Sequence, residues 1–374
     1  MSNLASALCG RCDVRVVAPL PWAPPLRHVR RWYDLGRVGP VEDHRGLTVR
    51  HPRFLVVPKV PWFSGLAYGY AILPVLRSLA SGGPIVLHGH CLYPDGVGVA
   101  LAARRLGWPY LLTAHGSDVN VYARRPLIRM QIGRALRGAR GIVAVSTPIR
   151  QRLVEWLGPD APPLEHIPCA GFDAGSFGRE CRAEARRALG LGPDGRLVLF
   201  VGNLVPIKAA DRLVEAWGIL SRSGALGEHD RLAVVGEGRC RADLERQAAG
   251  LGLGSAIRFE GAIPPGLVPR WLSAADLLCL VSRNEGTPNV IVEALASGRP
   301  VVATPVGGVV DLIEHGRNGL LAGATPEAVA SAIQVALGRD WEEASLRSSV
   351  SALTWDNLAD RNLRFVERCL GGRC

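Results

Sequence analysis

Two carboxylates, Glu285 and Glu293, stand eight residues apart around a Gly286-Thr287-Pro288 turn. The apolar stretch 277–281 before them is expected to be a strand and 290–296 after them a buried helix, which puts Glu285 on a loop and Glu293 near the second helical turn. Pro288 suits the first position of that helix, where its missing N–H leaves nothing unsatisfied. Backbone N–H groups at a helix start point at an anion, and the macrodipole favours one. A carboxylate beside an anion site, with a second about two turns along, fits a ligand carrying both phosphate and hydroxyls, as a sugar nucleotide does. Glutamate at a helix start is also common as a plain complement to the dipole. Glu293 separates the two readings. It lies inside Val290-Ile291-Val292-Glu293-Ala294-Leu295-Ala296, and a carboxylate buried there is costly unless something hydrogen-bonds to it.

A cation belongs to the same chemistry. Gly202-Asn203-Leu204-Val205-Pro206-Ile207-Lys208 follows a strand expected over 197–201 and precedes a helix over 209–220. Lys208 at that helix start opposes the dipole, which makes sense if it meets an anion there. Gly236-Glu237-Gly238 ends another expected strand, and a lone GxG is a tight turn as readily as a phosphate loop. In the first half of the chain, His88, His90, His115 and Asp118 all follow the ends of expected strands. Each has the plain alternative of a loop side chain bonded to backbone. His115 ranks first, because Gly116 beside it lets the backbone approach a ligand closely.

Strands at 14–18, 54–57, 85–87, 110–113 and 142–145 alternate with helical stretches, as do those of the second half. Such alternation indicates α/β structure on parallel sheets, with ligands beyond the C-terminal strand ends. One helix, 62–79, is expected to be interrupted at Pro74, and another over 309–314 to follow Gly307-Gly308. The 374 residues are expected to form domains over 1–174 and 175–355, with a terminal helix over 356–374 packing back on the first domain. A cleft between two such domains is a natural ligand site.

Charge is unevenly placed. Residues 1–175 carry 21 Lys and Arg against 10 Asp and Glu, whereas the remainder carries 23 of each. Arg27, His28, Arg30, Arg31 and Arg37 around Trp32 and Tyr33 form the best candidate for a membrane-facing or acceptor-facing segment, with a solvated loop as the alternative. Candidate partners of the basic half are an anionic membrane surface or a phosphate-bearing acceptor; no basic stripe interleaved with aromatics points to nucleic acid. No run of eighteen apolar residues suggests a membrane span, and no basic-then-apolar leader opens the chain. Nine scattered cysteines, with Cys9-Gly10-Arg11-Cys12 as a lone CxxC, read as reduced thiols of a cytoplasmic protein rather than a zinc or redox centre.

These stretches together resemble the retaining glycosyltransferases of family 4, which have the GT-B fold of two facing Rossmann-like domains. Glu285 to Glu293 matches the family's E-x7-E, and 202–208, 235–238, 299–308 and His115-Gly116-Ser117-Asp118 match further motifs. Within the family the chain is similar to cell-surface polysaccharide enzymes of the teichuronic-acid type, through His88-Gly89-His90-Cys91-Leu92-Tyr93-Pro94-Asp95-Gly96 and 201–208. The resemblance implies a nucleotide-sugar donor, UDP- before GDP-, and a lipid-linked or cell-surface glycan acceptor, with the enzyme at the inner face of the cytoplasmic membrane. It implies that Glu293 accepts from ribose hydroxyls, that Glu285 binds the donor sugar, and that Gly286, Thr287 and Asn289 hold sugar and diphosphate through their backbone. Lys208 would neutralise the departing diphosphate, and His115 would contact the donor sugar. His90, Asp95 and Asp118 would lie on the acceptor side. No cofactor or metal is implied.

The chain departs from the family's pattern twice. Asn203 stands where many members have arginine, which leaves Lys208 as the main cation on the diphosphate. The family also begins with a strand, a glycine loop and a helix ahead of the strand at 14–18, and Met1 falls near the end of that helix. A first sheet lacking its central strand is therefore expected. Two alternatives share the architecture: a sugar-nucleotide epimerase, and a non-catalytic paralogue that binds nucleotide through the second half alone.

Overall fold

The computed structural model describes residues 2–22, 35–44, 46–57, 59–80 and 83–371. Arg27, His28, Arg30, Arg31, Trp32 and Tyr33 lie outside them. The chain forms two compact units, Ala170–Thr354 and the pair of segments Met1–Cys169 and Trp355–Cys374.

In Ala170–Thr354, six parallel strands form one sheet. Across it lie Ile257–Gly261, Arg231–Val235, Leu197–Val201, Leu277–Leu280, Val301–Ala303 and Gly319–Leu321. Numbered along the chain this order is 3-2-1-4-5-6, that of a Rossmann sheet. The four inner strands are mostly Val, Leu and Ala because helices cover both faces, and Phe200 and Trp217 sit fully buried in that core. The order reverses between Leu197–Val201 and Leu277–Leu280, which pair directly through Val198 and Leu277. Their following loops leave from adjacent strand ends, the place where doubly wound sheets bind their ligands.

The N-terminal end of the same sheet is closed by charge. Arg186, almost fully buried, donates to the Ala274, Pro193 and Gly195 carbonyls and, through Nη2, to Asp276 Oδ2 at 2.7 Å. Asp276 also accepts from Arg182 Nε at 2.7 Å and from the Leu197 N–H at 2.7 Å. One carboxylate therefore ties two arginines to the start of the first strand.

The first unit holds a four-stranded parallel sheet in chain order, Leu87–His90, Tyr110–Ala114, Gly141–Ala144 and Leu164–His166. The other parallel strands do not join it. Val16–Val17 pairs with Leu47–Arg50, which pairs antiparallel with Val41–His44, and Leu20–Pro21 pairs with Arg53–Phe54. Among the described residues no strand connects Val16–Val17 to Leu87–His90, so the interruption expected of this sheet is present. The helices Ser2–Cys9 and Trp355–Leu370 lie together, with Arg11 bonded to Asp356 and Asp360.

Several elements differ from their sequence reading. Pro74 does not interrupt its helix, which runs Ser64–Leu79; Tyr68, Ile72, Leu73 and Leu76 anchor it, and packing outweighs one lost N–H. The strand expected over 54–57 shrinks to Arg53–Phe54, and Leu55 and Val56 are exposed, with no strand pairing with them among the described residues. The helix expected over 309–314 is a 3-10 turn, Gly307–Asp311. Pro288 precedes its helix, Asn289–Ala296, as the capping residue, with extended ψ of 116°. Among the described residues no helix is long and apolar enough to cross a membrane.

Asp276→Ala leaves Arg186 buried with carbonyl partners only, and is expected to destabilise this unit by about 3 kcal/mol. Urea denaturation followed by tryptophan fluorescence measures it; a change below about 1 kcal/mol would contradict the role given to the pair.

Candidate active site

The two loops at the strand-order reversal carry the second unit's candidate residues. After Leu197–Val201 the chain runs through exposed Asn203 to a 3-10 turn, Pro206–Lys208, ahead of the helix Ala210–Arg222. After Leu277–Leu280 it runs through Ser282 and Arg283 to Glu285. Lys208 Nζ donates to Glu285 Oε1 at 2.7 Å, and Ser282 Oγ donates to the same oxygen at 2.6 Å. Glu285 Oε2 has no partner among the described residues. The carboxylate is thus fixed by one oxygen and open at the other.

Further residues hold these loops; of these the sequence offered Gly307 only as a loop glycine and Thr304 only as part of a motif, and gave none of them a role. Arg283 N–H donates to the Ile207 carbonyl at 2.8 Å, and its guanidinium reaches the Pro206 carbonyl at 2.6 Å. Thr304 Oγ1 donates to the Ser282 carbonyl at 2.6 Å from the next strand end. Gly307 lies against Glu285, and a Cβ there would stand 1.8 Å from the Glu285 carbonyl oxygen, so only glycine fits. Gly308 N–H then donates to the Gly286 carbonyl at 2.6 Å. Gly286, Thr287 and Asn289 follow at the start of the helix Asn289–Ala296, whose first N–H groups have no intrahelical acceptor.

The Gly236-Glu237-Gly238 turn serves the other side of the Lys208 loop. A Cβ at Gly236 would lie 2.0 Å from the Gly202 carbonyl, and one at Gly238 2.3 Å from that of Leu204. The glycines let the two loops run side by side, joined by Leu204 N–H to the Glu237 carbonyl at 2.8 Å.

Glu293 sits in the second turn of its helix, mostly buried, with no hydrogen-bond or ion-pair partner among the described residues. Burial alone pushes its carboxyl up to about 7. The carboxyl is not sealed from solvent, and a pair of hydroxyl donors could take the place of water on it.

In the first unit the strand Leu87–His90 places His88 and His90 on one face, with rings 4.4 Å apart. His88 Nε2 meets Thr113 Oγ1 at 2.8 Å, and His90 Nδ1 meets His115 Nε2 at 3.3 Å. His115 Nδ1 lies 3.6 Å from Cys169 Sγ. Burial lowers all three imidazoles, His88 to about 4, and raises the Cys169 thiol. A protonated thiol can donate to His115 Nδ1, which would leave the ring's proton on Nε2, facing His90. The sequence reading missed Cys169.

Asp118 requires a correction. It was expected on the acceptor side, but it is fully buried and all of its reach is spent on backbone. Oδ2 accepts from Leu92 N–H at 2.8 Å and His115 N–H at 3.1 Å; Oδ1 accepts from Gly116 N–H at 2.7 Å and Val119 N–H at 3.0 Å. It shapes the His115 loop and touches no solvent. Asp95, in the turn Leu92–Gly96, is directed to the Tyr68 hydroxyl of the helix Ser64–Leu79, and burial raises its carboxyl.

Residues 195–339 match the family described as glycosyl transferases group 1, and residues 1–170 match the glycosyl transferase 4-like domain. Over 329 residues the chain is 31% identical to the putative teichuronic acid biosynthesis glycosyltransferase TuaC of Bacillus subtilis, covering 86% of this chain and 79% of that one. The chain belongs to glycosyltransferase family 4. This glycosyltransferase is also 32% identical, over 86% of its length and 75% of the other, to a D-inositol 3-phosphate glycosyltransferase of Geodermatophilus obscurus. Its GT-B fold is shared with sucrose-phosphate synthase from Thermosynechococcus elongatus, with a TM-score of 0.76 at 21% identity over 99% of this chain and 92% of that one. Anabaena HepE in complex with UDP and glucose aligns with a TM-score of 0.71 at 19% identity, over 98% and 95% of the two chains.

The enzyme's Glu293 gives a pH signature. Its folded pKa of about 7 exceeds its ordinary 4.5, so the native state holds a proton that the unfolded chain releases. The associated stability is complete below about pH 4.5 and is lost as pH rises through about 7. Glu293→Gln removes this slope, and the variant should gain up to about 3 kcal/mol over the native enzyme between pH 4.5 and pH 8. Parallel urea titrations across that range test it; parallel pH profiles for the two proteins would show that Glu293 does not titrate there.

Proposed function

We propose that this glycosyltransferase moves a sugar from a nucleotide-sugar, UDP- in preference to GDP-, to a lipid-linked or cell-surface glycan acceptor with retention of anomeric configuration. The observation that carries the reading is the Lys208–Glu285 pair at the strand-order reversal, a cation and a hydroxyl-accepting carboxylate 2.7 Å apart. On donor binding the lysine turns to the diphosphate and Glu285 to the sugar hydroxyls. The departing phosphate takes the proton of the acceptor hydroxyl as the new glycosidic bond forms on the same face. Lys208 supplies the positive charge for that departure, so the reaction runs without a metal or cofactor. Glu293 accepts from the ribose hydroxyls, and Gly286, Thr287 and Asn289 hold the diphosphate and sugar through backbone N–H groups. His115 acts on the donor sugar, with His90 as its ring partner.

Two relatives support the finer points. Anabaena HepE has been crystallised with UDP, which favours UDP as this donor's carrier. TuaC is named for teichuronic acid biosynthesis, which favours a cell-envelope glycan as product. The net charge of +11, all on residues 1–175, suits work at an anionic lipid surface on the cytoplasmic side.

Radiolabel transfer from a panel of UDP- and GDP-sugars into membrane extracts tests the proposal. A UDP-sugar should label lipid-extractable or polymeric material. Lys208→Ala should lower kcat by about 10²–10³-fold, the magnitude of losing one transition-state charge contact. His115→Ala should lower kcat while leaving UDP affinity unchanged. Turnover of the sugar nucleotide with no acceptor present would point instead to an epimerase.

A further inference from the structure

We propose that the first unit docks on an anionic lipid bilayer through the outer stripe of the helix Pro126–Arg137, with Trp62 and Tyr122 beside it. This helix buries Ile128, Ile132, Ala135 and Leu136. On its opposite side Leu127, Met130, Arg134 and Arg137 recur at spacings of three, four and three residues, which puts them in one line. The solvent side of a helix is normally polar, yet Leu127 is 54% and Met130 45% exposed.

The apolar line extends beyond the helix. The Trp62 carbonyl accepts from Gln131 Nε2 at 3.1 Å, which brings the exposed indole to the same surface. Val121 and Tyr122, in the turn before the helix, are exposed as well, and the Tyr122 ring lies 5.7 Å from that of Tyr93, whose hydroxyl bonds to the carbonyl of Pro61. Tryptophan and tyrosine beside protruding aliphatic side chains suit the boundary between headgroups and acyl chains.

Charge selects the kind of bilayer. Residues 119–154 contain eight arginines and no Asp or Glu. Arg124, Arg125, Arg134 and Arg137 form no ion pair among the described residues. A hollow of about 330 Å³ beside them is lined by Asn120, Arg124, Arg129, Arg152, Glu155 and Trp156, with the Arg129 guanidinium 4.8 Å over the Trp156 ring. Glu155 is the one acid there, against three arginines, so the hollow suits a headgroup phosphate. Nucleic acid would engage the arginines but would offer nothing to Leu127 and Met130.

This surface deepens the reading of the enzyme as one that works at a membrane. Its test needs neither donor nor acceptor, so it can fail while transfer to a soluble acceptor succeeds. The purified full chain is floated with vesicles of phosphatidylcholine, alone or with phosphatidylglycerol. Binding is expected only with phosphatidylglycerol and should weaken with salt. Arg124→Ala and Arg125→Ala should each reduce it by about fivefold. The double variant Leu127→Asp, Met130→Asp should lose most of it while keeping the native melting temperature and UDP affinity, and Val335→Asp, at an exposed position of the other unit, should bind as the native chain does. Leu127→Gln with Met130→Gln repeats the test should the aspartates impair folding. Equal binding to both vesicle types, or undiminished binding by the folded double variants, would overturn the proposal. So would an oligonucleotide bound more tightly than the vesicles and insensitive to Leu127 and Met130.

Discussion

The second unit depends on bringing a lysine and a glutamate, 77 residues apart in the chain, to within 2.7 Å. Each sits on a loop that leaves one of two adjacent strands, and strand order makes those loops neighbours. A lysine just ahead of a helix is opposed by the helix dipole. Glu285 offsets that opposition in the ligand-free protein, so the charges are matched before any donor arrives. Ser282 donates to Glu285 itself, whereas Arg283, Thr304 and Gly307 act on the pair indirectly. They bond the two loops to each other and press the Gly307 backbone onto that of Glu285. A pair held this way is fixed in position before any ligand arrives.

The first unit solves a different problem. Its surface is rich in arginine, yet the group of ionisable side chains beyond its central strands is kept neutral by burial. A neutral imidazole can accept or donate a hydrogen bond without adding charge. Its loop is shaped by Asp118, the buried carboxylate that gathers four backbone N–H groups. The charge of that half therefore stays outside, on the surface proposed above to meet a lipid bilayer.

Features resting on local pattern were readable from sequence. The strand–loop–helix unit around Glu285 and Glu293 shows in an apolar run, a Gly-Thr-Pro turn and a second apolar run, and Lys208 stood out because it opposes a dipole. Partners set by strand order were not readable. Nothing near Arg283 in sequence announces Pro206 and Ile207, and Gly307 looks like any loop glycine until Glu285 is placed beside it. Asp118 was misread for the same reason. An acid after a strand end resembles a ligand-binding residue, and only the fold shows backbone donors converging on it from Leu92 and from its own turn. Pro74 and the run at 54–57 erred the other way: local rules suggested a break and a strand, and packing and pairing decided otherwise.

Under the proposed function, Glu285 holds Lys208 in place of the donor's diphosphate. Calorimetric titration of UDP, which lacks the sugar, tests it most directly in the native chain, Lys208→Ala and Glu285→Gln. Lys208→Ala is expected to weaken UDP binding, whereas Glu285→Gln leaves it as tight or tighter, because the lysine no longer has to be drawn from a carboxylate. If Glu285→Gln weakened UDP binding as much as Lys208→Ala, the pair would not be a resting substitute for the donor's diphosphate.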